Sequence, residues 1–190
     1  MKKVVFSEGK NDVEFLRLVH KIERIPDSYD IFLTEEDDES QTKRLRQYLV
    51  DDRFDIMYKS EGGVTRLIKK FKSHSLMFEN FSLYLLVDLD GNGFSDFFTD
   101  LNDALTEDYG GKVQVSKSGQ TTNTDMIICN CDIEINNSQN RPLPIMAFHN
   151  SLEAATGLKY SEPRSTKIRK MKAYLENNPT ILTDIVSTIH

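Results

Sequence analysis

Two short acidic motifs carry the chemistry this sequence can do. The first is Asp88-Leu-Asp90, which follows the apolar run Leu83-Tyr-Leu-Leu-Val87 and leads directly into Gly91-Asn-Gly93. A continuously apolar run reads as a strand covered on both faces, and glycine with asparagine ends it and opens a loop. Carboxylates at the C-terminal end of such a strand lie in the crevice where open α/β sheets bind ligands. Two like charges so close together are disfavoured unless a cation stands between them, so a hard divalent metal is the first chemistry to expect. The second motif is Glu8-Gly-Lys-Asn-Asp12, immediately after the short apolar stretch Lys3-Val-Val-Phe-Ser7. In a parallel sheet all strand-to-helix turns fall on one edge, so groups far apart in sequence converge there. Three or four carboxylates around one or two Mg²⁺ (or Mn²⁺) ions suit phosphoryl transfer, in which metal polarises the phosphate, activates water and stabilises the leaving oxygen.

Positioning these acids requires strands that alternate with helices, and the hydrophobic pattern supplies them. After the first strand, Asn11 is a good N-cap for a helix with Val13, Leu16, Val19 and His20 on one face. Tyr29–Leu33 and Phe54–Tyr58 read as further strands, and Gln41–Val50 as a helix with Leu45, Tyr48 and Leu49 inward. The run Thr34–Ser40 has no apolar residue and reads as a solvated loop. Glu61-Gly-Gly-Val64 is a turn into a helix that points Leu67, Ile68 and Phe71 inward. The central strand at 83–88 is followed by a helix from about Ser95 to Tyr109. Lys112–Ser116 and Asp125–Asp132 read as strands, with polar loops at Gly119–Thr124 and Asn136–Pro142. Pro144–Phe148 reads as a last strand, and His149–Gly157 as a capped helical turn. Residues 163–190 form two helices separated at Asn178-Pro179. The expectation is an α/β, Rossmann-like fold with a mainly parallel central sheet and helices on both faces. It comprises a domain over 1–157 and a C-terminal helical extension over 158–190.

Composition narrows the partners. A net charge of −6 and a pI near 5.3 give no overall basic field, so a polyanion partner needs a local basic patch or bound metal. No stretch approaches the roughly 20 apolar residues of a membrane span, and Met1-Lys-Lys-Val-Val-Phe6 is too short an apolar run for a signal peptide. A cytoplasmic protein is expected. Cys129 and Cys131 alternate along one strand, which predicts two reduced thiols on one face, since a lone Cys-x-Cys is a poor zinc site. His20 reads as core and His149 as a hydrogen-bonded structural residue.

The two acidic motifs together resemble the Toprim domain, shared by topoisomerases, bacterial primases, OLD-family nucleases and small stand-alone proteins. The marks are a glutamate in a Glu-Gly-x-x-Asp turn after the first strand and an Asp-x-Asp after a later hydrophobic strand. Both stand here in the right order, and the likeness covers about residues 2–117. The resemblance implies that Glu8 is the general acid or base near the scissile phosphate, or a metal ligand. It implies that Asp88 and Asp90 hold Mg²⁺ and that Asp12 binds metal or orients Glu8. Gly62 and Gly63 occupy a glycine-rich turn found in related members, where backbone amides face the site. Ser151-Leu-Glu153 is similar to the downstream acidic element of OLD-like members, which implies Glu153 as a second-metal ligand. Lys10 and Lys117 are candidate phosphate contacts, with Arg141 and the Lys167–Lys172 cluster behind them. No ATPase module, zinc ribbon or nucleophilic tyrosine domain is evident. The implied function is therefore OLD-like, Mg²⁺-dependent phosphodiester chemistry on DNA or RNA, with a partner protein supplying specificity.

Three rival readings remain open. Asp88, Asp90, Asn92, Gly93 and Asp96 fit EF-hand loop positions 1, 3, 5, 6 and 9, although position 12 is Thr99. A haloacid-dehalogenase-like phosphatase also uses Asp-x-Asp after a strand, but near the start of the chain. A non-catalytic module would use the same acids to bind metal for holding nucleic acid or a protein.

Overall fold

The computed structural model describes residues 2–33, 43, 45–48, 50, 54–75, 78, 80–135 and 139–190. The expected acidic loop at 34–40 lies outside them. The described strands are β1 (Lys3–Ser7), β2 (Tyr29–Leu33), β3 (Ile56–Ser60), β4 (Ser82–Asp88), β5 (Val113–Thr122), β6 (Met126–Ile135), β7 (Gln139–Pro142) and β8 (Ile145–Phe148). They form one sheet in the order β2-β3-β1-β4-β8-β6-β5, with β7 also paired to β6. The first five in that order run parallel, and β5, β6 and β7 form the antiparallel end. The helices are α1 (Lys10–Ile22), α2 (Val64–Ser75), α3 (Phe94–Tyr109), α4 (Leu152–Thr156), α5 (Arg164–Asn177) and α6 (Pro179–Ile189). Residues 43, 45–48 and 50 are helical as well, with Leu45 and Tyr48 buried.

The sheet divides the core in two, as strand alternation requires. Val4, Phe6, Met57, Leu83, Leu85 and Val87 face α2 and α3, against Leu67, Phe71, Phe97, Leu101 and Leu105. Val5, Ile56, Tyr58, Tyr84 and Leu86 face the other way, against Val13, Phe15 and Leu16 of α1 and Met171, Leu175, Ile181 and Ile185 of the last two helices. Each such side chain contributes about 1.5–3 kcal/mol through burial, which is why β1 and β4 read as continuously apolar. The fold is Rossmann-like α/β with helices on both faces. The two C-terminal helices break at Asn178, where Pro179 takes the first helical position and costs no hydrogen bond.

Three boundaries differ from expectation. Helix α1 starts at Lys10 with Gly9 as its cap, not at Asn11, because the Asp12 carboxylate accepts a hydrogen bond from the Gly9 N–H at 2.7 Å. The polar stretch Gly119–Thr122 belongs to β5 rather than to a loop. Its residues are largely exposed, yet Gln120, Thr121 and Thr122 pair with Cys129, Ile128 and Ile127 of β6. Gln139–Pro142, also expected as loop, pairs with the end of β6. In both cases polar composition conceals a ladder that a buried neighbour holds in place. Among the described residues no helix is long and apolar enough to cross a membrane.

Candidate functional site

Strand β1 has β3 on one side and β4 on the other, so the chain order reverses beside it. The crevice at the carboxyl ends of β1 and β4 is the topological switch point, the usual ligand position in open α/β sheets. Glu8 is the first residue after β1 and Asp88 the last of β4. The Asp88 N–H donates to Glu8 Oε1 at 2.7 Å, which joins the two acidic motifs directly.

Backbone groups brace this carboxyl from behind. The N–H groups of Gly62 and Gly63 both donate to the Glu8 carbonyl, at 2.6 and 3.0 Å, and the Glu61 N–H donates to Ser7 at 2.9 Å. Both glycines have positive φ, 82° and 116°, which other residues adopt at a cost. This corrects the expectation that Gly62 and Gly63 face a phosphate, since their amides are already engaged in fixing Glu8.

The remaining acids gather from three more segments. Asp12 is buried and caps its own helix through Gly9. Asp88 Oδ1 accepts the Leu152 N–H at 3.0 Å, at the start of α4. Glu153 Oε1 accepts from Asn11 Nδ2 at 2.6 Å. Asp90 is exposed and adopts a left-handed φ of 49°. The loop carrying it is tied to the end of β8 by N–H bonds from Leu89, Asp90 and Gly91 to Phe148, Asn150 and His149.

These acids act on one another. Burial pushes the Glu8 carboxyl up to about 7, helped by the charges of Asp90 and Glu153, while the N–H groups of Asp88 and Val64 work against it. Asp88 also rises to about 7, chiefly through burial and then through Glu8, Glu153 and Asp90. Asp12 is raised well above the usual carboxylate range by burial, followed by the charge of Asp88. The Glu8 carboxylate accepts the backbone N–H groups of Asp88 and Val64, and Asp12 and Asp88 each accept one, from Gly9 and Leu152. Among the described residues, no three His, Cys, Asp or Glu side chains converge as they stand to hold a metal. The donor set is nonetheless what a hard cation takes, namely carboxylate oxygens that repel one another until positive charge is supplied.

The other predicted residues lie apart from this cluster. Lys10 opens α1 and is exposed. Lys117 lies on β5 with its ammonium 5.5 Å from the centre of the Phe94 ring, and it donates to Gln120. Arg141 donates to the carbonyls of Phe78 and Ser75, so its role is structural. His149 Nε2 donates to the Asn123 carbonyl at 3.1 Å, and His20 is buried against the Tyr58 hydroxyl. Cys129 and Cys131 are free and buried, with sulfurs 3.4 Å apart. A strand, not a helix, enters Asp88, and α3 has begun by Phe94. Residues 88–99 therefore do not form an EF-hand loop.

Sequence reasoning missed one buried pair beside the site. Lys59, at the end of β3, forms an ion pair with Glu61, and both side chains are fully buried. The signal was a single lysine inside the apolar run Ile56-Met-Tyr-Lys-Ser60, two residues before an acid.

No family model matches the chain, and no curated protein matches it. Among solved structures, it is similar to the solution NMR structure of a de novo designed protein with a P-loop NTPase fold. The TM-score is 0.38 at 9% identity, over 95% of each chain. A likeness at that level carries no argument about function.

Proposed function

We propose that this chain is a Toprim-type, Mg²⁺- or Mn²⁺-dependent phosphodiesterase acting on nucleic acid, nearest in kind to the OLD-like nucleases. One observation carries the reading. The Glu8 carboxylate accepts the Asp88 N–H at the sheet's switch point, which unites the Glu-Gly-x-x-Asp and Asp-x-Asp motifs in one crevice. Asp88 and Asp90 would hold the cation, with Asp12 and Glu153 beside them. When bound, the metal would polarise a phosphate oxygen and offset the charge that develops on it.

The chain's own residues supply position. Glu8 is fixed at its carbonyl by two glycine amides and at its carboxylate by Asp88. A general acid or base must stand within hydrogen-bond reach of the oxygen it serves, so a carboxyl held in one place suits that role. Asp88 is held in turn by the Leu152 amide, which leaves its second oxygen for a cation. The same reading gives the protein a cytoplasmic setting and a nucleic-acid partner.

The test is cleavage of single- and double-stranded DNA and RNA with Mg²⁺ or Mn²⁺, alongside calorimetric titration of the metal. Glu8→Gln and Asp88→Asn are each expected to lower cleavage by about 10²–10⁴-fold or more, and Asp88→Asn to weaken metal binding. If the wild type cleaves nothing and Asp88→Asn binds metal as the wild type does, the proposal fails. Metal binding that depends on Asp88 without any cleavage would leave the non-catalytic module instead.

A further inference from the structure

Charge is distributed very unevenly along this acidic chain. Residues 158–190 carry six Lys or Arg against three Asp or Glu, net +3, which leaves −9 on the first 157. All six bases fall between Lys159 and Lys172, where the only acid is Glu162. Helix α5 carries four of the six bases within Arg164–Lys170 and lies along α1, and between them runs an open groove of about 460 Å³. Lys10, Arg17, Arg164 and Lys167 contribute to its walls, and Ile31 and Met171 to its apolar floor. Arg17 and Arg164 share one carboxylate, Glu14, at 3.0 and 2.9 Å, so two guanidinium charges meet a single negative one. The groove joins the acidic crevice through Asn11, which lines it and also holds Glu153.

An aromatic ring stands beside this groove without a packing reason. Tyr160 is 98% exposed, and the Lys167 ammonium lies 5.7 Å from its ring centre. A lone exposed ring is ordinary by itself; what marks this one is its place against a lysine of the groove wall. A basic groove with an aromatic ring at its side is the arrangement that binds unpaired strands. Phosphates follow the positive charge, and a base stacks on the ring.

We infer that the groove between α1 and α5, with Tyr160 beside it, binds single-stranded nucleic acid and leads the strand towards the Glu8–Asp88 crevice. The inference rests on the proposed nucleic-acid chemistry of that crevice for its direction, though not for its binding surface. A duplex fits less well, because its bases are already stacked and offer Tyr160 no free face.

The experiment is fluorescence anisotropy of labelled oligo-dT, oligo-rU and a DNA duplex of equal length, in EDTA. Chelation removes divalent cations and so separates this surface from the acidic site. The wild type is expected to bind single strands more tightly than duplex, and the dT and rU arms distinguish DNA from RNA as the source. Tyr160→Ala and Tyr160→Leu should each weaken single-strand binding by about five- to hundredfold, and Tyr160→Phe should not. Lys167→Ala should lower the slope of log K against log salt by about 0.7 for a lost phosphate contact. Tyr160 is exposed, so unchanged thermal melts are expected to accompany these losses. Duplex binding as tight as single-strand binding, full affinity in Tyr160→Leu, or equal competition by polyglutamate would each overturn the inference. Strand binding without cleavage would sink only the nuclease proposal, while cleavage with Tyr160→Leu binding normally would sink only this one.

Discussion

The carboxyl ends of neighbouring strands handle buried acid in opposite ways. At the end of β3, Glu61 is fully buried and Lys59 pairs with it. The Lys59 ammonium also lies 5.7 Å from the Phe6 ring centre and 5.2 Å from that of Phe32. At the ends of β1 and β4, only one strand away, Glu8, Asp12 and Asp88 are pressed by burial and by one another's charge. This fold can bury a carboxylate with its counter-charge, and at β3 it does. The difference teaches that the crevice acids are not a by-product of packing at this edge of the sheet. On the proposed function, a cation from solvent takes the part that Lys59 plays for Glu61.

Breaking the neutral side should cost most. Lys59→Met removes the buried ammonium that pairs with Glu61, and breaking one side of a buried ion pair typically costs about 3–5 kcal/mol. For a chain of this size the thermal midpoint should fall by roughly 10 °C. Lys59→Met combined with Glu61→Leu should recover most of the loss, because two apolar groups replace two charges. Melts followed by circular dichroism decide the matter. If the double variant melts no higher than the single one, the two residues are not a coupled pair and the contrast with the crevice dissolves.

The crevice should respond to pH rather than to truncation. Burial raises Glu8 and Asp88 to about 7, above the values near 4 of an unfolded chain. Between those limits the folded protein holds protons that the unfolded chain has released. Stability must therefore fall as pH rises through the window, and the contribution of these protonated carboxyls is gone above about 7. Both groups are partly solvated and share one field, so the combined effect is about 2–3 kcal/mol. His20 and His190, lowered mainly by burial, work the other way below about pH 6.5. The difference between wild type and Asp88→Asn isolates the part of this dependence that comes from Asp88 and its charge on Asp12 and its neighbours. The wild type should lose several degrees of melting temperature relative to Asp88→Asn between pH 5 and pH 8. Parallel curves would mean that the crevice carries no such burden. Millimolar Mg²⁺ at pH 8 should close the gap if the proposed metal binds the native state alone.

What the sequence disclosed and what it hid follow from the range of each interaction. Val4, Val5 and Phe6 are apolar on both faces, and Asp88 follows such a run into glycine, so strand, switch-point acid and turn are all local patterns. Lys59 was not legible, because a lone lysine is ordinarily exposed. Its burial depends on β3 lying between β1 and β2. Gly62 and Gly63 announced a turn, but where their amides point is set by the Glu8 carbonyl, more than fifty residues back. Asn11 looked like a helix cap, yet it bonds Glu153 across 142 residues. The exposed end of β5 read as loop because its strand character comes from the buried partner β6.

The smallest test addresses how the crevice is held. Ser151 Oγ accepts the Ala154 N–H at 3.1 Å and caps the five-residue helix α4, whose first amide, at Leu152, holds Asp88. Ser151→Ala should cost about 1 kcal/mol, roughly 2–4 °C in the thermal midpoint, and Ser151→Thr much less. The more telling effect is its pH dependence. The Leu152 amide is the influence that holds the Asp88 carboxyl down, so loosening α4 should push that carboxyl higher and carry the loss of stability to higher pH. A uniform drop at every pH, unrelieved by threonine, would make Ser151 an ordinary surface cap. It would also leave Asp88 held by its strand alone.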